Sequence, residues 1–171
     1  MKSVCRSILT SLLVTLSVFT ATGRSYACKP SAPISVPHTC QVSEYIIRAT
    51  AVGNLESPAN VDSRITFAVE EVLKGDSLDS TITLRGYLND KDDFNDHPVP
   101  YTFVRPGGRG GSCFARSYKQ GAQYLLFLKK TPDGFAVEIN ALAPVNEQLH
   151  SAEDPWVYYV KGLIEGLKSG N

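Results

Sequence analysis

The chain has 171 residues, and its 17 Lys and Arg are balanced by 17 Asp and Glu. The first 27 residues contain Lys2, Arg6 and Arg24 and no acid, which leaves 14 basic and 17 acidic residues, a net charge of −3, on the remaining 144. This charge argues against a nucleic-acid-binding protein, which presents a basic surface. A length of 144 residues suits a single domain with its own core, and we expect that domain over residues 28–171.

The N-terminus has the pattern of a secretory signal peptide over residues 1–27. Lys2 and Arg6 precede an apolar run at residues 8–19, and small residues occupy the cleavage positions before Cys28. The run is shorter than the roughly 20 apolar residues of a membrane-spanning helix, so no transmembrane segment is predicted. We expect a secreted protein, extracellular or, in a Gram-negative bacterium, periplasmic. An uncleaved anchor or a lipoprotein are the alternatives.

Three cysteines remain after cleavage: Cys28, Cys40 and Cys113. Disulfides persist in the compartments that exported proteins reach. Three thiols allow one intramolecular bridge and leave one cysteine free, buried or paired with another molecule. Their spacing does not identify the pair.

The first half of the mature chain predicts an extended arm and three strands. Residues 28–41 are rich in proline, which favours an extended, ordered or semi-ordered arm. Strands are predicted over 44–52, 64–73 and 81–88, where β-branched and apolar residues recur or alternate. Lys74-Gly75-Asp76 is predicted to form the turn after the second strand.

The second half predicts a loop, a hairpin and a helix. Residues 89–112 have few strand features beyond 101–104, and a solvated loop is the expectation. An apolar strand at 123–129 is joined by a tight turn at Pro132-Asp133-Gly134 to a strand at 135–142. Asp154 and Pro155 are typical of a helix start, and apolar residues follow at helical spacing up to Gly170. We therefore expect a mainly β fold, a five-stranded Greek-key barrel with a C-terminal α-helix.

The N-terminal pattern of the mature chain resembles the tissue inhibitors of metalloproteinases. The similarity lies in Cys28-Lys29-Pro30, in Cys40 twelve residues after Cys28, and in the segment SEYIIRATAVG at residues 43–53. Ser112-Cys113-Phe114 resembles the family's cysteine that bridges back to the N-terminal one. The similarity spans most of residues 28–130 and is specific in the first 26.

The resemblance implies an OB barrel of the netrin-like type and inhibition of a zinc metallopeptidase. In that family the α-amine and carbonyl of the N-terminal cysteine chelate the partner's zinc and displace the water that zinc would activate. Carried over, Cys28 would contact that zinc, with Lys29, Pro30 and Ser112 beside it. A Cys28–Cys113 disulfide would hold the chelating backbone, and Cys40 would stay unpaired or form a disulfide-linked dimer if exposed. No cofactor of its own is expected.

Two departures from the family keep other functions open. The family has a second cysteine where this chain has Pro30, and a small hydroxyl residue where this chain has Lys29, whose burial without a partner would be costly. The main alternative is a netrin-like module that binds another exported protein without inhibiting it. An enzyme is the weaker alternative: His38 lies two residues from Cys40, and His97 and His150 supply further imidazoles, but a Cys–His pair requires a geometry that spacing does not show.

Overall fold

The computed structural model describes residues 35–55, 63–94, 96, 116–140, 143–144 and 146–170. Over these ranges the protein is mainly β, as predicted, with a helix at the C-terminal end. The predicted signal peptide, the first part of the proline-rich arm and the predicted strand at 101–104 lie outside the described residues.

The described elements follow one another along the chain as two helices and ten strands. They are α1 Val36–Val42, β1 Tyr45–Leu55, β2 Arg64–Lys74, β3 Thr81–Arg85, β4 Tyr87–Asn89, β5 Ser117–Lys119, β6 Gln123–Thr131, β7 Gly134–Val137, β8 Ile139–Asn140, β9 Ala143–Pro144, β10 Asn146–Gln148 and α2 Pro155–Ser169.

Six strands form the main sheet. Its order is β10-β6-β1-β2-β3, with β7 also paired to β6, and every one of these pairings is antiparallel. It follows that β3 and β7 run in the same direction, and parts of the two strands approach within 8 Å between Cα atoms. β4 and β5 form a short parallel ladder, and β8 pairs with β9.

The two central strands, β1 and β6, are buried on both faces. Ile46 on β1 and Phe127 on β6 pack with the helices on one side of the sheet. Ile47 and Leu126, the next residues in alternation, pack into a second cluster on the other side. Because successive side chains of a strand point to opposite faces, a strand covered on both sides needs a continuous apolar run. This explains the continuous apolar run at residues 124–128.

Aromatic rings fill the second cluster. Phe67, Tyr118 and Tyr124 meet edge to face, with ring centroids 5.1–6.2 Å apart, an arrangement that adds to the gain from burial. Gly86 makes room for this cluster where the predicted strand 81–88 divides into β3 and β4. A Cβ there would lie 2.5 Å from the Arg116 carbonyl oxygen and 2.9 Å from the Tyr118 ring. Only glycine therefore fits at this position.

Helix α2 begins and ends as the sequence predicts. The carboxylate of Asp154 accepts a hydrogen bond from the Trp156 amide at 3.0 Å, and Pro155 occupies the first turn. The helix buries Trp156 and Val160, among others, against the first cluster. Among the described residues no helix is both long and apolar enough to cross a bilayer.

The extended arm predicted for residues 28–41 is wrong over 36–41, which belong to helix α1. Ser35 caps the helix, its hydroxyl accepting from the His38 amide at 3.4 Å. Pro37 lies in the first turn, where the missing N–H of proline costs no helical hydrogen bond. Proline favours a helix start as readily as an extended arm, and the burial of Val36 and Cys40 decides between the two.

One further strand prediction needs adjustment, and strand β10 was not predicted. The second hairpin strand, predicted over 135–142, ends as β7 at Val137, and the chain then leaves β6 to form the β8–β9 ladder. Strand β10 had no apolar signature because its buried residues are polar. The side-chain nitrogen Nδ2 of Asn146 donates to the Tyr118 hydroxyl at 2.7 Å. Its side-chain oxygen Oδ1 accepts from the backbone N–H of Phe127 at 3.3 Å. These bonds replace the water that the buried amide gives up.

Candidate functional site: the anchored N-terminal segment

All of the predicted inhibitory residues lie outside the described part of the chain. Cys28, Lys29, Pro30 and Ser112 fall there, as does Cys113. The described structure begins at Ser35, seven residues after Cys28, and shows how the following segment is attached to the sheet.

Cys40 carries a free thiol that is completely buried. It lies in the first cluster with residues of α1, the sheet and α2. Burial raises the pKa of the thiol from 9.0 to about 11, partly opposed by the nearby Lys74 cation. A protonated, enclosed thiol is a poor nucleophile. The predicted disulfide-linked dimer required an exposed Cys40, and this condition is not met.

Lys74, the last residue of β2, holds the end of α1. Its ammonium donates to three backbone carbonyl oxygens, those of Cys40 at 2.8 Å, Gln41 at 2.9 Å and Ser43 at 2.6 Å. The last carbonyls of a helix lack intrahelical partners and carry partial negative charge, so a cation there is favourable. We call Lys74 and these three carbonyls the lysine clamp. It fixes the segment between α1 and β1 to the far end of β2.

The segment SEYIIRATAVG forms the junction with α1 and most of β1, the strand paired with both β2 and β6. Arg48, its one basic residue, pairs with Glu70 and with Glu71 on the neighbouring β2. Lys161 on α2 also binds Glu71, at 2.6 Å, and these partners hold the pKa of the Glu71 carboxyl below its ordinary value. Arg48 on β1 and Lys161 on α2 therefore share Glu71 as a partner, which links the sheet to α2.

The described part of the acidic stretch after β4 is bound to the sheet. The Asp92 carboxylate accepts from Lys119 Nζ at 2.7 and 2.8 Å and from Gln148 Nε2 at 2.6 Å. These two donors, Lys119 first, hold the pKa of Asp92 below its ordinary value. Asp92, which is exposed as expected for a solvated loop, is thus also bound to β5 and β10.

The histidines considered for catalysis do not meet the Cys40 thiol. His38 is exposed on α1 while Cys40 points into the core. The imidazole of His150 stacks on Phe94, with ring centroids 3.9 Å apart, and contacts Asp96 at 2.7 Å. His97 lies outside the described residues. In the part of the chain that is described, no three His, Cys, Asp or Glu side chains come together as metal ligands.

A cleft that the sequence did not indicate lies beside β7. Its cationic residues are Arg64, Arg85, Arg116 and Lys129. They are spread over 66 residues of sequence, from Arg64 to Lys129, and do not form a charge run. The only sequence feature in common is that Arg64, Arg85 and Lys129 occupy strand positions next to buried residues, and therefore face outward.

No family model and no curated protein matches the chain. The similarity to the inhibitor family rests on the quoted residues alone. The function must therefore be argued from the chemistry of those residues and from the contacts described above.

Proposed function

We propose that the mature protein is a secreted inhibitor of a zinc metallopeptidase that acts like the tissue inhibitors of metalloproteinases. The free α-amine and the carbonyl of Cys28 bind the peptidase's zinc and displace its water, which removes the nucleophile of hydrolysis. Lys29, Pro30 and Ser112 contact the peptidase around that zinc. The proposal requires cleavage directly before Cys28, since any preceding residue would convert the amine into an amide.

The observation that carries this proposal is the anchoring of the segment that follows the inhibitory tip. Eight residues after Cys28 the chain enters α1, whose buried Val36 and Cys40 pack in the core and whose end is held by the lysine clamp. An inhibitory segment attached to a rigid support loses less conformational entropy on binding. The described part of the segment that resembles the family, residues 35–53, is thus attached to the core.

The strand topology supports the more specific proposal that the sheet closes into an OB-type barrel. Strands β1, β2 and β3 form a meander, and β6 pairs with β1 and with β7. β3 and β7 run in the same direction and approach each other, which is the arrangement needed for five strands to close on themselves. In this proposal the aromatic cluster fills the barrel and α2 covers β1 and β6 from outside.

A Cys28–Cys113 disulfide completes the proposal. Cys40, the third cysteine of the mature chain, is free and buried in the structure, so it does not compete for either partner. The bridge closes a loop of about 85 residues, which in the chain-entropy account stabilises the fold by roughly 4 kcal/mol. It also fixes the position of the chelating backbone.

The test compares the native N-terminus with a form that carries one extra alanine before Cys28. Both are assayed against the same panel of zinc peptidases, with a serine peptidase as a control. We expect the native form to inhibit at least one zinc peptidase and the extended form to lose nearly all inhibition. Equal inhibition by the two forms would rule out chelation. Matching circular dichroism spectra would show that the extension leaves the fold intact.

A second candidate is a netrin-like binding module without inhibitory activity. Lys29 and Pro30 favour it, because they replace the small hydroxyl residue and the cysteine of the inhibitor family. Lys29→Thr separates the two functions. A gain of inhibition of matrix-type metallopeptidases by this variant supports the inhibitor, whereas no inhibition by native protein or variant supports the binding module.

A further inference from the structure

The cleft beside β7 has a volume of about 570 Å³, which lies in the range of ligand-binding sites. It is bordered by the ends of β2 and β3, by the residue before β5, and by β6 and β7. Its described lining residues are Arg64, Arg85, Arg116, Lys129, Thr131, Asp133, Phe135, Ala136 and Val137. Asp133 is the single acid among them.

Cationic side chains from three strands line the cleft. Arg64 and Arg85 are direct cross-strand partners in the β2–β3 ladder, which places their side chains next to each other. The Arg64 guanidinium is turned toward the β6–β7 turn, where it donates to the Asp133 carbonyl oxygen at 3.3 Å. Lys129 adds its charge from an exposed position on β6. A carboxylate bound beside these groups would form charge-assisted hydrogen bonds with them.

One wall of the cleft is apolar. Phe135 and Ala136 on β7 are half-buried, so part of each remains available to a ligand. The Phe135 ring is held by an edge-to-face contact with Tyr45, with ring centroids 5.3 Å apart. The site therefore presents a fixed aromatic surface beside guanidinium groups, which bind carboxylates in a planar, two-bond geometry.

We propose that this cleft binds a short acidic peptide segment of a partner protein. Carboxylates of the segment pair with Arg64, Arg85 and Lys129, and its apolar side chains rest on Phe135 and Ala136. In an extended segment side chains alternate between two faces, so alternation of acidic and apolar residues would serve both walls. The proposal is independent of the Cys28 chelate, which involves a different segment of the chain.

A peptide fits these observations better than a polysaccharide or a nucleic acid. An apolar peptide side chain would bury Phe135 and Ala136, whereas the sulfate groups of a sulfated sugar would not interact favourably with them. The predicted mature chain has a net charge of −3, which repels long polyanions extending beyond the cleft. A short segment avoids this repulsion.

The experiment uses the full exported protein and a fluorescein-labelled Glu-Val-Glu-Val-Glu peptide, followed by fluorescence anisotropy. Lys129→Gln and Arg85→Gln remove cationic groups at exposed positions. Lys130→Gln is the matched control, because Lys130 is the exposed neighbour on β6 and does not line the cleft. Peptides with Gln in place of Glu, or Ser in place of Val, test the two walls separately. Dextran sulfate and oligothymidylate are titrated in the same way.

We expect Lys129→Gln and Arg85→Gln each to weaken peptide binding by about two- to fivefold, and the double variant by about tenfold. Lys130→Gln should bind like the native protein, and both substituted peptides should bind more weakly. Absence of peptide binding, equal binding of the Gln peptide, or equal losses for Lys129→Gln and Lys130→Gln would overturn the proposal. So would cleft-dependent binding of dextran sulfate or oligothymidylate that is tighter than that of the peptide. Unchanged thermal midpoints show that the variants are folded.

Discussion

Replacing Lys74 by methionine tests whether the lysine clamp anchors the N-terminal segment. Methionine keeps most of the apolar stem and removes the ammonium that donates to three carbonyls at 2.6–2.9 Å. A hydrogen bond from a charged donor contributes about 1.5–3 kcal/mol, and a cation at a helix C-terminus about 0.3–2 kcal/mol. Because the Gln41 carbonyl is exposed and regains water, we expect a net loss of about 2 kcal/mol in the free energy of unfolding.

Urea denaturation measures this loss, with Lys130→Met as a control at an exposed position, where a change within about 0.5 kcal/mol is expected. A second readout is the alkylation rate of Cys40, which reports the opening of α1 because the thiol is enclosed in the native state. We expect Lys74→Met to accelerate alkylation. If Lys74→Met matches Lys130→Met in both stability and alkylation rate, the clamp does not anchor α1.

Four other outcomes follow from the structure and the proposed function. Stability should decrease from pH 9 to 11, because unfolded Cys40 loses its proton near 9.0 and the folded thiol near 11. In the Cys40→Ala variant the free energy of unfolding should fall by about 2–3 kcal/mol less over this pH range than in the native protein, measured by urea denaturation at each pH. Gly86→Ala should lower the free energy of unfolding by more than about 2 kcal/mol. Gly162→Ala, on the exposed side of α2, should leave it unchanged or raise it by up to about 1 kcal/mol. Thermal melts of both variants and the native protein test this difference. Peptide mapping without reduction should link Cys28 to Cys113, and a Cys28–Cys40 peptide would contradict the proposed pairing. Inhibition should weaken below about pH 7.7, since only the neutral α-amine binds zinc; inhibition constants from pH 6 to 9 test this, and a flat profile argues against an amine ligand.

The mainly β fold and its C-terminal helix could be predicted because each element had a local signature. Strand β2 alternates apolar and polar residues, β6 is a continuous apolar run, and α2 has a cap with helical spacing. Local sequence did not show whether Pro37 begins a helix or belongs to an extended arm, because proline is common in both. The buried polar strand β10 was missed because its stability comes from partners distant in sequence, such as Tyr118.

The proposed chelating N-terminus and the cationic cleft also differ in whether local sequence reveals them. The chelating tip was predicted because a short motif carries its residues together. The cationic cleft could not be predicted, since Arg64, Arg85 and Lys129 meet only when β2, β3 and β6 are assembled. Their charges are also outnumbered by acids in the predicted mature chain, so overall composition hides a locally basic surface.

The pairing of β1 with β6 has a consequence for how the protein is made. Tyr45 and Leu128 are register partners although they lie 83 positions apart in the chain. Contacts between distant residues slow folding, because a long loop must close before they form. Until that happens, the apolar β6 segment is exposed and liable to associate with other chains. We therefore expect refolding to be slow and sensitive to concentration. If the proposed Cys28–Cys113 bridge is formed beforehand, it should accelerate refolding by bringing the two halves of the chain together.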